Sequence, residues 1–140
     1  MVDKKVIQEW LGKADEDFNF ACRNVEDEEN TFYAQICFHF QQAAEKYLKA
    51  YIVAHELTFK KIHDLPELVK ICRGDNDSFS ELEEESNFLT DFYIDTRYPV
   101  HWPIEISREN AQKALDASDQ IGRFVKELLE QRLNIIQEVA

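Results

Sequence analysis

The stretch TFYAQICFHFQQAAEKYLKAYIVAHE, residues 31–56, decides the fold class. Its apolar side chains recur at spacings of three and four residues, which is the period of one face of an α-helix. Neither glycine nor proline interrupts it, and good helix formers such as alanine, glutamine and lysine fill the remaining positions. The stretch therefore predicts a central helix about 35–40 Å long at 1.5 Å per residue. Its expected inward-facing residues are Ile36, Phe40, Ala43, Tyr47, Leu48 and Tyr51.

Two further helices are predicted on either side of this stretch. The first ends at the acidic run EDEEN, residues 26–30, and the third begins in HDLPELVKIC, residues 63–72. In the third, Asp64 is placed to cap the free amides, Glu67 completes a capping box, and Pro66 occupies the first turn, where proline is tolerated. The apolar face of the first helix is expected to comprise Val6, Trp10, Ala14, Phe18, Ala21 and Val25.

Two more apolar faces follow towards the end of the chain. One helix must end before Pro99, and the next begins near Ser107. Together with only 3 glycines and 3 prolines in 140 residues, this pattern predicts an all-α fold. We expect a bundle of four main helices plus a short fifth helix, forming one domain over residues 1–140. The two faces comprise Phe79, Leu82, Leu89, Phe92 and Tyr93, and then Ala111, Ala114, Leu115, Ile121, Val125, Leu128, Leu133 and Ile136.

Charge and composition exclude several function classes. A formal net charge of −12 is unfavourable for a broad DNA-binding face, so an RNA ligand would need a local basic cleft. The odd set Cys22, Cys37 and Cys72 has no CxxC spacing, which argues against a disulfide framework or a zinc site. Neither a signal sequence nor a membrane-spanning run is recognisable, so we expect a cytoplasmic protein without membrane contact.

The familiar chemistries of helical bundles and nucleotide enzymes are also unsupported. A di-iron bundle needs Glu-x-x-His pairs, and no such pair exists. HExxH and P-loop motifs are missing from the sequence as well. We therefore expect neither a metal nor a cofactor, and any chemistry must use His, Arg, Lys or Tyr. The residues three positions before the four histidines are Ile36, Ile52, Lys60 and Tyr98.

Four segments, in order along nearly the whole chain, resemble the HEPN family (higher eukaryote and prokaryote nucleotide-binding). They are WLGKADEDFNFA (10–21), FHFQQAAEKYLKAYI (38–52), IHDLPEL (62–68) and DTRYP (95–99). The resemblance implies an antiparallel bundle of four main helices, usually dimeric and often encoded beside a minimal nucleotidyltransferase. Many members resemble RNase toxins of toxin–antitoxin pairs. Their metal-independent site is an arginine, four to six intervening residues and a histidine, completed by its symmetry mate across the dimer.

Residues 95–103, DTRYPVHWP, contain the counterpart of that motif with only three residues between Arg97 and His101. On a regular helix, residues four apart share a face, whereas residues five apart differ by about 140°, so the spacing changes the direction of the imidazole. Pro99 and Pro103 disfavour a regular helix here, and a turn would bring His101 back towards Arg97. Spacing alone leaves both arrangements open.

Three roles are open for this segment. In a ribonuclease, His101 would be the general base for the ribose 2′-hydroxyl and Arg97 the cation opposite the phosphorane. Tyr98 would then bond a phosphate or stack on a base. In a binding module, the same cleft would hold a nucleotide without cleaving it. In a structural role, Arg97 would complement a helix end and bond Asp91 or Asp95.

The polar residues of the central helix also have two interpretations. His39, Gln42, Lys46 and Lys49 are spaced to line one stripe, along which a phosphate would lie. In the alternative, Glu45 pairs with Lys49, Gln41 and Gln42 are solvated, and a neighbouring helix satisfies a half-buried His39. His63, just before the capping Asp64, either anchors its loop or contacts a nucleotide. The −12 charge and the short Arg–His spacing favour a binding module over a nuclease.

Overall fold

The computed structural model describes residues 2–93 and 105–139, with side chains in these ranges up to residue 132. Five α-helices and one 3₁₀ helix make up these ranges, which contain no strand, so the predicted all-α fold class is confirmed. None of the described helices combines the length and apolarity that crossing a membrane requires. The helices are α1 (Lys4–Glu26), α2 (Tyr33–Ala54), α3 (Leu65–Asp75), the 3₁₀ helix (Asp77–Leu82), α4 (Glu83–Thr90) and α5 (Arg108–Val139).

The central helix α2 packs against one long helix that is antiparallel to it and one that is parallel to it. The helix α1 is antiparallel to it, since Phe18 packs against Phe40 while Trp10 contacts Phe59, beyond the end of α2. The helix α5 runs in the same direction as α2. Its Ser118 hydroxyl donates to the Phe40 carbonyl at 2.9 Å, and Arg132, further along α5, reaches His55. The longest helices therefore enclose α2 from two sides.

The shorter helices form an antiparallel pair on the same central helix. His63 lies beside Glu45, near the middle of α2, so the connection 55–64 must run back along α2 before α3 begins. The Cys72 thiol then approaches the Leu48 carbonyl (Sγ–O 3.8 Å), which gives α3 the direction of α2. The helix α4 turns back, because Thr90 Oγ1 accepts from the Leu65 amide at 3.0 Å.

The core positions follow the predicted helical period, except that Ile7 takes the place of Val6 in α1 and Leu129 that of Leu128 in α5. In α1, Ile7 is buried and Val6 is exposed, so the expectation for Val6 is wrong. The buried residues Ile7, Ala14 and Ala21 repeat every seven positions, which keeps one narrow stripe against α2, and alanine lets the two backbones approach. Trp10 and Phe18 flank this stripe and are partly buried. In α5 the buried residues are Ala111, Ala114, Ala117, Ile121, Val125 and Leu129, with Leu115 and Leu128 at the flanks.

The ends of α2 and α3 are set by local chemistry. Asp64 Oδ1 accepts from the Glu67 amide at 3.3 Å and Pro66 lies in the first turn of α3, which confirms the predicted start. The helix α2 ends in a Schellman-type turn, in which the Leu57 amide donates to the Ile52 carbonyl at 2.9 Å. Glu56 takes the left-handed conformation that this turn requires, with φ 52°.

The fourth segment is divided rather than continuous. Phe79 and Leu82 are buried in the 3₁₀ helix, whose three-residue period places both on one side. The side chain of Asn76 caps its start by accepting from the Ser78 amide at 3.1 Å. The buried residues Leu89 and Phe92 continue the apolar face through α4 and the turn after it.

Close packing of α5 on α2 depends on one glycine. A Cβ atom at Gly122 would lie 2.8 Å from the nearest carbon of the Tyr47 ring, a distance that carbon atoms do not tolerate. The Tyr47 ring is buried, and its hydroxyl donates to Asp15 of α1. Lys126 of α5 binds the same carboxylate at 2.7 Å. Asp15, Tyr47 and Lys126 therefore join the three longest helices through one polar contact next to Gly122.

Candidate functional site

The predicted site residues fall into two groups. Arg97, Tyr98 and His101 lie outside the described residues, and their roles stay predictions. The others are described: three on α2, where His39, Lys46 and Lys49 occupy different turns, and His63 in the connection before α3. The geometry of the second group separates two of the interpretations that the sequence leaves open.

A buried carboxylate organises one set of polar residues on α2 and the connection after it, which we name the Glu45 cluster (Gln41, Glu45, Lys49 and His63). Glu45 Oε2 binds Lys49 Nζ at 3.0 Å, and Glu45 Oε1 lies 2.9 Å from His63 Nδ1. The side chains of Glu45 and Lys49 are only 6% and 8% exposed, whereas that of His63 is 43% exposed. The expected Glu45–Lys49 pair is confirmed, and it is buried.

The same cluster holds the backbone of the connection. Gln41 Nε2 donates to the His63 carbonyl at 3.2 Å and lies 3.4 Å from Glu45 Oε1. Gln41 is fully buried, so the expectation that it is solvated is wrong. Gln42 is partly exposed, and its amide donates to Gln41 Oε1 at 2.8 Å. Residues 41, 45 and 49 are spaced by one helical turn, which turns this edge of α2 towards the returning chain.

Two aromatic rings contact the cluster, and two exposed lysines precede His63 in the chain. The His63 ring stacks on Tyr93, with centroids 3.9 Å apart and planes 18° apart. On the other side, Lys49 Nζ lies 5.7 Å from the centroid of Phe59. Lys60 and Lys61, next to His63 in the same connection, are exposed and have no carboxylate partner among the described residues. The surroundings therefore offer ring surfaces beside positive charge.

A second carboxylate, on α1, organises the Asp17 cluster (Asp17, His39 and Lys46). Asp17 Oδ1 lies 3.2 Å from His39 Nδ1, and Asp17 Oδ2 binds Lys46 Nζ. The three side chains are 16%, 31% and 28% exposed, in that order. Phe20 packs its ring edge-on against His39, with centroids 4.6 Å apart. The predicted half-buried His39, satisfied by a neighbouring helix, is confirmed.

The predicted stripe is thus divided between two carboxylates. Lys46 is paired with Asp17, and Lys49 is paired with Glu45. Each lysine already has a counter-ion, which weakens its attraction for a phosphate. A sequence pattern on α2 alone does not reveal Asp17, because its contact with α2 depends on how the two helices pack.

Hydrogen bonding defines which nitrogen of His63 faces the carboxylate. Because a carboxylate oxygen accepts, His63 Nδ1 must carry the hydrogen at 2.9 Å from Glu45. In the neutral ring, Nε2 is then the acceptor nitrogen. A histidine oriented by a carboxylate is suited to hydrogen-bond a ligand through that second nitrogen. The ring is exposed enough for a ligand to reach it.

Nucleophilic chemistry at cysteine has no support in the structure. Burial raises the pKa of the Cys37 and Cys72 thiols to about 12 each. Burial, with the neighbouring carboxylates Glu26 and Asp119, raises the pKa of Cys22 to about 11. All three are free thiols, which at neutral pH are protonated. In the described part of the chain, no three His, Cys, Asp or Glu side chains group closely enough to hold a metal ion.

A pocket of about 220 Å³ between α1, α2 and α5 lies apart from both clusters. Its charged residues pair with one another, Asp15 with Lys126 at 2.7 Å and Asp119 with Arg123 at 2.9 Å. We therefore place the candidate site at the Glu45 cluster and its rings.

Comparison with known families gives a match to the HEPN domain over residues 7–128. The chain belongs to the HEPN family. The matched range contains both clusters and the segment with Arg97 and His101. A search of curated proteins gives no match to this HEPN chain.

Solved structures show the same fold. TT1696 from Thermus thermophilus is 31% identical, with a TM-score of 0.77 over 86% of this HEPN chain and 96% of that protein. ST0689, an archaeal HEPN homologue, is 21% identical, with a TM-score of 0.70 over 87% and 96%. A HEPN domain protein from Thermotoga maritima, TM0613, is 23% identical, with a TM-score of 0.70 over 87% and 98%.

Proposed function

We propose that this HEPN chain is a nucleotide-binding module of the toxin–antitoxin kind. It acts as a homodimer, pairs with a minimal nucleotidyltransferase, and does not cleave RNA. The observation that supports binding is the His63–Tyr93 ring pair, which is held by the bond from His63 to Glu45 and is preceded in the chain by the exposed Lys60 and Lys61. Stacking of a base on an aromatic or imidazole ring contributes about 1–3 kcal/mol, and lysines add phosphate contacts.

The spacing of the Arg–His motif supports binding without cleavage, and the pairing of the α2 lysines indicates which cations remain for a phosphate. Lys46 and Lys49 are already paired with carboxylates. The Arg97–His101 spacing of three residues is shorter than the four to six that the nuclease members of the family use. The positive charges that contact the phosphate would then come from Lys60, Lys61 and Arg97, and Tyr98 would provide a further ring for stacking.

Nucleotide binding is tested by calorimetry with AMP, ATP and GTP. His63→Ala removes the exposed ring and should weaken binding of the preferred nucleotide by at least about tenfold, in line with the loss of one stacked base. His39→Ala is the matched control, because His39 is also paired with a carboxylate but lies in the other cluster. Equal loss in both variants, or no binding by the unmodified protein, would contradict the proposal.

The alternative is an active, metal-independent endoribonuclease that uses Arg97 and His101 across the dimer. In that case, unmodified protein in the presence of a chelator should cut RNA and leave a 2′,3′-cyclic phosphate. Arg97→Ala and His101→Ala should each lower the rate by at least about a hundredfold. We expect no cleavage above background. Cleavage only after insertion of one residue between Val100 and His101 would identify the short spacing as the cause.

The dimer is tested by light scattering. We expect a mass of twice the 16.5 kDa of the chain at micromolar concentration. A monomer would remove any composite site, because the alternative requires Arg97 and His101 from two chains. The nucleotidyltransferase is tested by co-expressing the gene found beside this one and measuring the stoichiometry of the purified complex.

A further inference from the structure

The ends of α2 and α3 meet the C-terminal part of α5 at four polar side chains that the proposed function does not use, Tyr51, His55, Asp75 and Arg132. His55 follows the last residue of α2, Asp75 is the last residue of α3, and Arg132 belongs to α5. The His55 ring stacks on Tyr51, with centroids 4.0 Å apart and planes 19° apart. The His55 side chain is 21% exposed, so most of it is removed from water.

One nitrogen of His55 has two partners with opposite requirements. Nδ1 lies 3.2 Å from Asp75 Oδ2 and 3.4 Å from a terminal guanidinium nitrogen of Arg132. The Asp75 carboxylate only accepts, so it needs a hydrogen on Nδ1, whereas the Arg132 guanidinium only donates, so it needs a lone pair on Nδ1. A single Nδ1 cannot satisfy both partners at once. The protonation state of the ring therefore decides which helix end His55 binds.

The neutral ring favours Arg132. Asp75 Oδ2 already accepts from the Tyr51 hydroxyl at 2.6 Å, so it keeps a donor without His55. Burial and the charge of Arg132 lower the pKa of His55, and Asp75 only partly opposes them. At neutral pH the ring is then uncharged, with Nδ1 accepting from Arg132 and the hydrogen on Nε2.

We propose that His55 is a proton-controlled switch between α5 and α3. At neutral pH it accepts a hydrogen bond from Arg132 and joins the end of α2 to α5. On acidification Nδ1 takes a proton from solvent and donates to Asp75, while the imidazolium repels the guanidinium. The contact with α5 is lost and the contact with α3 is strengthened.

The groups around His55 are consistent with this assignment. From α2 it faces Tyr51, whose pKa is raised by burial and by Asp75, so the phenol stays neutral. From α3 it faces the Asp75 carboxylate, and from α5 the Arg132 guanidinium. Glu56 follows directly in the chain. His55 Nε2 and Arg132 Nε are both buried without a partner among the described residues, so neither atom anchors the pair elsewhere.

The direction of the pH dependence follows from the lowered pKa. The unfolded chain, with an ordinary histidine pKa near 6.5, binds a proton more readily than the folded protein does. The contribution of His55 to the free energy of unfolding is therefore fully present at neutral pH. It falls as the pH drops below about 6.5.

Urea unfolding at pH 7.5 and 5.5 tests the switch. His55→Gln keeps an acceptor oxygen for Arg132 but cannot take up the proton. Between the two pH values, the unfolding constant of the unmodified protein should rise at least about threefold more than that of the variant. His39→Gln, the control, should keep the acid-induced loss. An unchanged pH dependence in His55→Gln would overturn the proposal.

A second measurement needs no variant at His55. Nitrogen-15 NMR of the unmodified protein at pH 7.5 should show a neutral His55 ring with the hydrogen on Nε2. On acidification, the protection of the α5 amides around Arg132 against hydrogen exchange, corrected for the intrinsic rate at each pH, should fall as Nδ1 becomes protonated. A hydrogen on Nδ1 at pH 7.5, or protonation without loss of protection, would overturn the switch. Neither result depends on nucleotide binding.

Discussion

The Glu45 cluster and the Asp17 cluster contain the same three kinds of group in different surroundings. Each joins a carboxylate, a lysine and a histidine. Glu45 and Lys49 lie one turn apart on a single helix and are almost completely buried, whereas Asp17 joins two helices at a partly exposed edge. The same three kinds of group therefore occur once in the interior of the protein and once near solvent.

The difference teaches where a charged group contributes to stability. A buried pair that loses one partner leaves a charge without compensation, at a cost of about 3–5 kcal/mol. A pair near water contributes only about 0–1 kcal/mol, because solvent and salt screen it. The Glu45 cluster also holds the connection 55–64 through His63, so its loss affects backbone as well as charge.

The largest expected effect is that of Glu45→Gln. The substitution keeps the shape of the side chain but leaves Lys49 buried without its counter-ion, and one neutral amide oxygen replaces the two carboxylate oxygens that bind Lys49 and His63. We expect a loss of about 3–5 kcal/mol in the free energy of unfolding, measured by urea denaturation at pH 7.5. If Asp17→Asn destabilises the protein as much as Glu45→Gln, burial does not distinguish the two clusters.

A pair of glycines tests the role of surroundings without charge. In Gly122→Ala the new Cβ would lie 2.8 Å from Tyr47, and we expect a loss of about 1–3 kcal/mol despite the better helix propensity of alanine. Gly12 on α1 is the matched control, because its Cβ would meet nothing within 4 Å. There, alanine should stabilise the protein by about 0.5–1 kcal/mol. Thermal unfolding of both variants gives the comparison, and equal signs would contradict it.

The smallest effect is expected at Asp17. Asp17→Asn removes a partly buried carboxylate from His39 and Lys46 and should cost less than Glu45→Gln, about 1 kcal/mol. The cost should shrink between about 0.05 and 0.5 M salt, since the Debye length falls from roughly 14 Å to about 4 Å. The cost of Glu45→Gln should change little over the same range. A salt-insensitive Asp17→Asn would place this cluster with the buried one.

Much of the fold was predictable from local patterns. The apolar period of α2, the Asp64 cap and the start of α5 near Ser107 depend on residues within a few positions of one another. The fourth segment was harder, because its apolar spacing fits both a 3₁₀ helix and an α-helix. The Glu45–Lys49 pair was also predictable, since residues four apart on a helix are neighbours.

The candidate site was predictable only in part. Lys46, Lys49, His39 and His63 belong to the two clusters, but the sequence pattern placed the first three along one continuous stripe. The partners that divide this stripe are Asp17 and Glu45, and the stack of His63 on Tyr93 joins segments 30 residues apart. The burial of Gln41 depends on the connection that returns along α2.

The sequence by itself determined the helices, because their periods, caps and propensities are properties of neighbouring residues. It also determined the family, through segments distributed along most of the chain. Only the tertiary structure decided that Ile7 rather than Val6 enters the core, that α3 runs in the direction of α2, and which carboxylate meets each lysine. The physical reason is that the rotation and register of one helix against another come from the packing of the whole core. No single segment contains that information.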